Sequence, residues 1–209
     1  MAARLAHGWT LARAPEVSNA LAAEFIRPAI RAVPSSMAIR IGPCRISLLA
    51  FTDPGVASQW TQTAAALDIS VAVSDSPEHD LAMEVLVCLG QALWHRLFPS
   101  EMRAYWTLLW GEIRAGIDAE IDEQALDAKR SLLASRSSAR NRALLEEYGR
   151  ASFAGTAAEY VHALWHDVTV REGPEHLPAA QLRRRLELLS RWFPPDRGYR
   201  LFPRRAKAE

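Results

Sequence analysis

Three residues in the last third of the chain have types and spacing suited to metal chemistry. Glu159, His162 and His166 are separated by three and then four residues, so on a helix they share one face. Two histidines one helical turn apart suit two ligands of one metal ion. Ala163 follows His162, however, at the position where a general base would be expected, and histidine pairs on amphipathic helices are commonly surface or interface residues. Both interpretations stay open.

A second segment lies in a long apolar stretch and has the sequence Val87-Cys88-Leu89-Gly90-Gln91-Ala92-Leu93-Trp94-His95. It resembles the active-site helix of zinc metallopeptidases, in which H-E-x-x-H is commonly written out as H-E-L-G-H-A-L. In that family the two histidines bind Zn²⁺, and the glutamate between them activates the bound water. Here Val87 and Gln91 occupy the two histidine positions, and Cys88 occupies the glutamate position.

The resemblance extends to a glutamate further along the chain. In compact gluzincin-type metallopeptidases a helix and a small sheet precede the motif helix, and a glutamate on a later helix supplies the third zinc ligand. That glutamate often lies in a context such as A-E-Y/F-F-A, and Ala158-Glu159-Tyr160-Val161 is similar. The resemblance covers 21–188 in topology but only about a dozen residues in motif. It implies that residues 87, 91 and 159 converge across a shallow cleft.

The same positions imply that the catalytic chemistry has been lost. A valine side chain cannot ligate zinc, and glutamine is a poor substitute for imidazole, so of the implied ligands only Glu159 remains. Cys88 is a poor general base, because a thiol in apolar surroundings has a raised pKa and reaches less far than a glutamate. We therefore expect no catalytic residues among Val87, Cys88, Gln91 and Glu159, and no bound zinc or other cofactor.

The resemblance thus implies a catalytically inactive metallopeptidase-like protein, a scaffold or a peptide- or protein-binding domain that keeps the cleft. An extended peptide would bind there by adding a strand to the sheet edge. One alternative is a metal-dependent enzyme with a relocated site of Glu159, His162 and His166. Another is a helical interaction protein unrelated to peptidases. Metal content and the effect of His162→Ala separate the first two, and the third predicts no small sheet beside the central helix.

Apolar periodicity and turn signals predict the elements that position these residues. We expect an α+β fold in which a small β-sheet packs on a central helix and a mainly helical half follows. The predicted helices lie at about 19–31, 76–97, 102–121, 155–168 and 178–193, and the predicted strands at 37–41, 46–51 and 69–73. Residues 122–149 are charged and partly helical. One domain, 1–209, then contains helix, sheet and central helix (17–97), the helical half (101–193) and a basic tail (194–209).

Composition narrows the classes of partner. The 209 residues are 49% apolar and 23% charged with a net charge of +1, as in ordinary globular proteins. Nine basic and three acidic residues follow from position 178 onward, a net charge of +6, but no base-reading motif accompanies them. We expect no nucleic-acid partner. Cys44 and Cys88 indicate buried free thiols in a reducing compartment. Without a signal peptide or a membrane-length apolar run, we expect a cytoplasmic protein that binds no membrane.

Overall fold

The computed structural model describes residues 2–51, 56–73, 80–135, 138–166 and 173–202. Within these residues the fold is α+β, as predicted, with a five-stranded sheet and a helical second half. The strands are β1 (Ala3–Arg4), β2 (Thr10–Arg13), β3 (Cys44–Leu49), β4 (Ser58–Gln62) and β5 (Leu67–Ala72). The helices are α1 (Asn19–Leu21), α2 (Arg27–Ala32), α3 (Ser35–Ile41), α4 (Leu81–Trp94), α5 (Pro99–Arg114), α6 (Glu123–Ala134), α7 (Ser138–Trp165) and α8 (Ala179–Trp192).

The sheet is mixed, and its strands lie in the order β1-β2-β3-β5-β4. β2, β3 and β5 run parallel, whereas β1 and β4 are antiparallel to their neighbours. Ile46 of β3 pairs with Leu11 on one side and with Ile69 on the other. Cys44, Ile46 and Leu48 are buried, and the residues between them are more exposed, because successive side chains of a strand point to opposite faces. In this strand order β4 is an edge strand, and it runs antiparallel to β5.

The central helix α4 contacts β4 and β5 as well as the long helix α7. A Cβ atom at Gly90 of α4 would lie 2.8 Å from the Cα atom of Ala154, so the two backbones approach too closely for a larger residue. Further along, a Cβ atom at Gly149 of α7 would lie 2.8 Å from the ring of Trp94. Residue numbers rise along one helix as they fall along the other, so α4 and α7 are antiparallel.

One continuous cluster of buried apolar side chains connects the sheet with the helical half. It extends from Leu5 near the N-terminus to Phe193 after α8. Residues beyond α8 also lie against this body, since the carboxylate of Asp196 accepts hydrogen bonds from the backbone N–H and the hydroxyl of Ser35. The hydroxyl bond is 2.7 Å long. The part of the predicted basic tail that the structure describes is thus attached to the start of α3.

Several predicted boundaries are confirmed. The helical run predicted at 19–31 is formed by α1, a π-helical segment (Ala22–Ile26) and α2, with the Ser18 hydroxyl accepting from the N–H of Leu21 at its start. The π-helical segment comes directly before the turn that contains Pro28, a residue with no N–H to donate. α5 begins at Pro99, three residues before the predicted start at 102, and a 2.8 Å hydrogen bond from the N–H of Phe98 to the Glu101 carboxylate caps it. The predicted start of the central helix, 76–79, lies outside the described residues.

The strand predicted at 37–41 is wrong, because these residues belong to α3. Its buried apolar residues are Met37, Ala38 and Ile41, which follow helical rather than alternating spacing, while Ile39 is 81% exposed. Gly42 ends the helix with a φ of 78°, a backbone conformation that favours glycine. Short apolar runs are ambiguous between helix and strand, and here tertiary packing selected the helix.

The predicted start of the Glu159-bearing helix at Gly155 is also wrong. α7 begins at Ser138, and Gly155 lies in its interior, where an added Cβ would collide with the carboxylate of Asp122. The glycine therefore allows close packing of a neighbouring loop and does not mark a helix start. The sequence pattern also missed β1, β2 and β4, which are short, and it extended α5 beyond Arg114 although Gly116 adopts a φ of 71°.

Candidate functional site

A stripe of α4 is partly accessible along the length of the helix. Glu84, Val87 and Gln91 are half-buried, and the exposed His95 continues the same spacing just after the helix ends. Most other residues of α4 are buried. Spacing by three and four residues places these four side chains on one face. We call them the α4 stripe, and it contains Val87 and Gln91, the residues at the two histidine positions of the metallopeptidase motif.

Two side chains of the edge strand β4, those of Ser58 and Trp60, attach it to the two ends of the α4 stripe. The Ser58 hydroxyl donates a 2.6 Å hydrogen bond to the carboxylate of Glu84. The indole N–H of Trp60 donates a 2.5 Å hydrogen bond to the amide oxygen of Gln91, and its ring lies 6.0 Å from that of His95. The strand is thereby fixed directly beside the motif positions.

The backbone of β4 leaves one row of polar groups on the outer side of the sheet. The carbonyl of Ala57 accepts from the N–H of Ala72, and the N–H of Thr63 donates to the carbonyl of Ala66, so the odd-numbered residues bond towards β5. Because the N–H and C=O groups of successive residues alternate in direction, those of residues 58, 60 and 62 point away from β5. No strand among the described residues pairs with that side.

The motif positions do not form a zinc site. Val87 has no donor atom, and the amide oxygen of Gln91 already accepts from Trp60. Cys88 is buried, and burial raises the pKa of its thiol to about 11, although a hydrogen bond with Ser58 acts in the opposite direction. The zinc ion that the resemblance implies does not fit this set of side chains.

Glu159 lies on α7 at nearly the same height as the motif positions of α4. Gly90 is level with Ala154, so counting five residues along each antiparallel helix places Glu159 level with position 85. With a rise of about 1.5 Å per residue, Glu159 is about 3 Å along the axis from the level of Val87. Its side chain is 19% exposed within a stretch of α7, 151–161, whose other residues are buried. The positions of residues 87, 91 and 159 along the two helix axes agree with their predicted convergence. That their side chains face one another stays a prediction.

The structure brings Glu159, His162 and His166 together along one side of α7. The imidazole rings of the two histidines stack with their centroids 5.4 Å apart and their planes at 18°. Nδ1 of His162 lies 3.9 Å from the Glu159 carboxylate, and the Trp165 ring stands edge-on to both histidines. Nevertheless, the described part of the chain contains no group of three or more His, Cys, Asp or Glu side chains placed to hold a metal ion.

Sequence reasoning missed a buried cluster of charged residues in the helical half. Arg185 of α8 is fully buried and donates to the carboxylates of both Glu112 and Glu120. Glu120 also accepts from the Tyr148 hydroxyl at 2.6 Å, and the buried ammonium of Lys129 lies 3.5 Å from it. The cluster joins α5, α6, α7 and α8, and its four charges balance. No spacing in the sequence reveals it, because its members come from separate elements.

The electrostatics of this cluster indicate a structural role. Burial by itself raises the pKa of Glu120, but the Arg185 charge and hydrogen bonds outweigh it and lower the pKa to about 2. Tyr105 lies next to the cluster, and burial raises the pKa of its hydroxyl to about 12. The carboxylate of Glu120 therefore stays ionised and fully hydrogen-bonded, which stabilises the loop before α6 and offers no group for proton transfer.

Comparisons with known proteins add no family assignment. No protein-family model matches the chain, and no curated protein or solved structure gives a significant match. Among the described helices, none is by itself long and apolar enough to cross a membrane. Only α4 and α5 taken together reach that length and composition, and they are bent by 117°.

Proposed function

We propose that this chain is a catalytically inactive, zincin-like protein that binds an extended segment of a protein partner by strand addition at β4. The observation that carries the proposal is the outward row of backbone groups at residues 58, 60 and 62, held beside the motif positions by the Trp60–Gln91 hydrogen bond. Main-chain hydrogen bonds to an exposed sheet edge provide affinity that tolerates many sequences. The α4 stripe would then contact side chains of the added strand.

An exposed apolar side chain just before β4 and another just after β3 support the same mode of binding. Phe51 and Val56 are 72% and 40% exposed. A hydrophobic side chain of the bound segment would remove apolar surface from water there, at about 25 cal/mol for each Å² buried. Edge strands present unpaired backbone groups that can pair with another chain, which is the mode of binding proposed here.

The proposal also includes the loss of hydrolysis and the cellular compartment. The side chains at 87, 88 and 91 supply neither zinc ligands nor a general base, so bound peptide would not be cleaved. The two cysteines, Cys44 and Cys88, are free and buried, as expected in a reducing cytoplasm. We propose a protein partner and not a nucleic acid, because the described site is an edge of the sheet and not a basic surface.

The test is a pair of substitutions at Gln62, whose N–H points outward. Gln62→Pro removes this N–H and leaves the bonds of β4 to β5 in place, and proline is tolerated on edge strands. Gln62→Ala removes the same side chain but keeps the N–H. Peptides selected from a random display library on the wild-type protein serve as the probe. One lost hydrogen bond costs about 1 kcal/mol, so Gln62→Pro should weaken peptide binding about fivefold or more.

The affinities of the two Gln62 variants distinguish strand addition at β4 from peptide binding elsewhere on the protein. Strand addition predicts that Gln62→Ala binds the selected peptides nearly as well as the wild type, while Gln62→Pro does not. Equal affinity of the two variants would show that the peptides bind elsewhere. Cleavage of any selected peptide by the wild-type protein, with or without added Zn²⁺, would overturn the assignment as a pseudoenzyme. Circular dichroism of both variants confirms that the sheet is intact.

A further inference from the structure

The histidine pair of α7 is placed where a cation is favoured. His162 and His166 lie around the last turn of α7, which ends at Trp165. The unpaired carbonyl groups at a helix C-terminus carry a partial negative charge. The carboxylate of Glu159 adds a full negative charge one turn earlier. His166 is exposed and the His162 side chain is 26% exposed, so an ion can reach the imidazoles from solvent.

The surroundings of His162 determine which of its ring nitrogens is available. Its Nδ1 is buried and has no hydrogen-bond partner among the described residues, and the nearest carboxylate oxygen, of Glu159, is 3.9 Å away. A modest side-chain adjustment would let Nδ1–H donate to that carboxylate. Metal-bound histidines commonly donate their second ring N–H to a carboxylate, which orients the ring and increases its basicity. Nε2 of His162 would then carry the lone pair that binds a metal.

We propose that His162 and His166 chelate one divalent transition-metal ion of the Zn²⁺, Cu²⁺ or Ni²⁺ class, with Glu159 orienting His162 and water filling the other positions. Histidines four residues apart on a helix are suited to this, and imidazole is a preferred ligand for these ions. The rings now stack face to face, so binding requires a rotation that brings one nitrogen of each within about 2.1 Å of the ion. This site is separate from the degenerate motif positions, and no hydrolysis is assigned to it.

The experiment is titration of the untagged full-length chain with Zn²⁺ and Cu²⁺ salts, followed by calorimetry and, for Cu²⁺, by electron paramagnetic resonance. We expect one ion per chain and a Cu²⁺ spectrum with two nitrogen ligands. His162→Gln and His166→Gln should each weaken binding at least tenfold. Glu159→Gln should weaken it about 10- to 100-fold, the range for groups that orient a ligand. His95→Gln, at an exposed histidine just after α4, is the matched control and should bind the metal ion as the wild type does.

Two results would overturn the proposal. One is the absence of saturable binding by the wild-type chain. The other is binding that survives both His162→Gln and His166→Gln unchanged, which would place the metal elsewhere. Unchanged thermal unfolding of the metal-free variants shows that a lost signal reflects a lost ligand and not a lost fold. Peptide binding by the Gln62 variants is measured separately, so this proposal and the proposed function fail independently.

Discussion

Placing histidines at positions 87 and 91 tests directly whether this chain has the architecture of a zinc peptidase. The variant Val87→His/Gln91→His places imidazoles at the two motif positions, and Glu159 would supply the third ligand if the three side chains converge. His162→Gln and His166→Gln are included so that zinc cannot bind at the histidine pair of α7. Cys88 is left unchanged, because a glutamate at this buried position would introduce a costly charge.

The expected effect follows from ligand linkage. Glu159 is level with position 85 of α4, so its carboxylate would reach an ion held by residues 87 and 91 if its side chain faces α4. Zinc at a hundredfold excess over its dissociation constant stabilises the folded state by about 2.7 kcal/mol. In a chain of this size each kcal/mol shifts Tm by roughly 2–4 °C, so zinc should raise Tm by about 5–10 °C. Without zinc the variant should lose about 1 kcal/mol, because Trp60 loses its hydrogen bond to Gln91.

The assay is thermal unfolding with and without Zn²⁺, repeated after Glu159→Gln is added. If the three side chains converge, loss of the Glu159 carboxylate weakens zinc binding at least about tenfold and removes most of the Tm shift. The parent carrying only the His162→Gln and His166→Gln changes should show no shift. A zinc response that is the same with and without Glu159 would show that residue 159 does not face the motif positions, which would refute a zincin-like arrangement.

Three further predictions concern the stability of the helical half and of the central helix. Arg185→Met leaves buried carboxylates without their cation and should lower the free energy of unfolding by about 3–5 kcal/mol, measured by urea denaturation at pH 7. The pKa of Glu120 falls from 4.5 to about 2 on folding, so above pH 4.5 this group stabilises the protein by about 3 kcal/mol. That contribution is lost as the pH falls towards 2. An acid titration of the free energy of unfolding that shows no loss in this window would contradict the ion pairing. Gly90→Ala pushes a methyl group against the backbone of Ala154 and should lower the free energy of unfolding by about 1–3 kcal/mol. Gly111 has open space around it, so Gly111→Ala should be neutral or stabilising. Equal urea midpoints for the two variants would refute the close approach of α4 and α7.

The fold class was predictable because the strongest signals in this sequence are local. The apolar run through α4, the Ser18 cap and the proline before α8 marked helices whose central parts the structure confirms. The errors have a common cause. Residues 37–41 form a helix, and Gly155 lies inside one, because contacts with distant parts of the chain outweighed the local pattern. β4 was missed because its sequence, Ser-Gln-Trp-Thr-Gln, is mostly polar and shows no apolar alternation, and β1 is only two residues long.

For the candidate site, the side-chain types alone show which chemistry positions 87 and 91 cannot perform. Val87 and Gln91 cannot replace two histidines in any fold, since ligand chemistry depends only on the side chains. Sequence spacing also placed Glu159, His162 and His166 on one helix face. Long-range contacts make β4 an edge strand fixed to α4 through Trp60, and they bring Arg185, Glu112 and Glu120 together in a buried cluster. Such contacts join residues far apart in the chain, and their free energy depends on burial and approach distance, which no local pattern encodes.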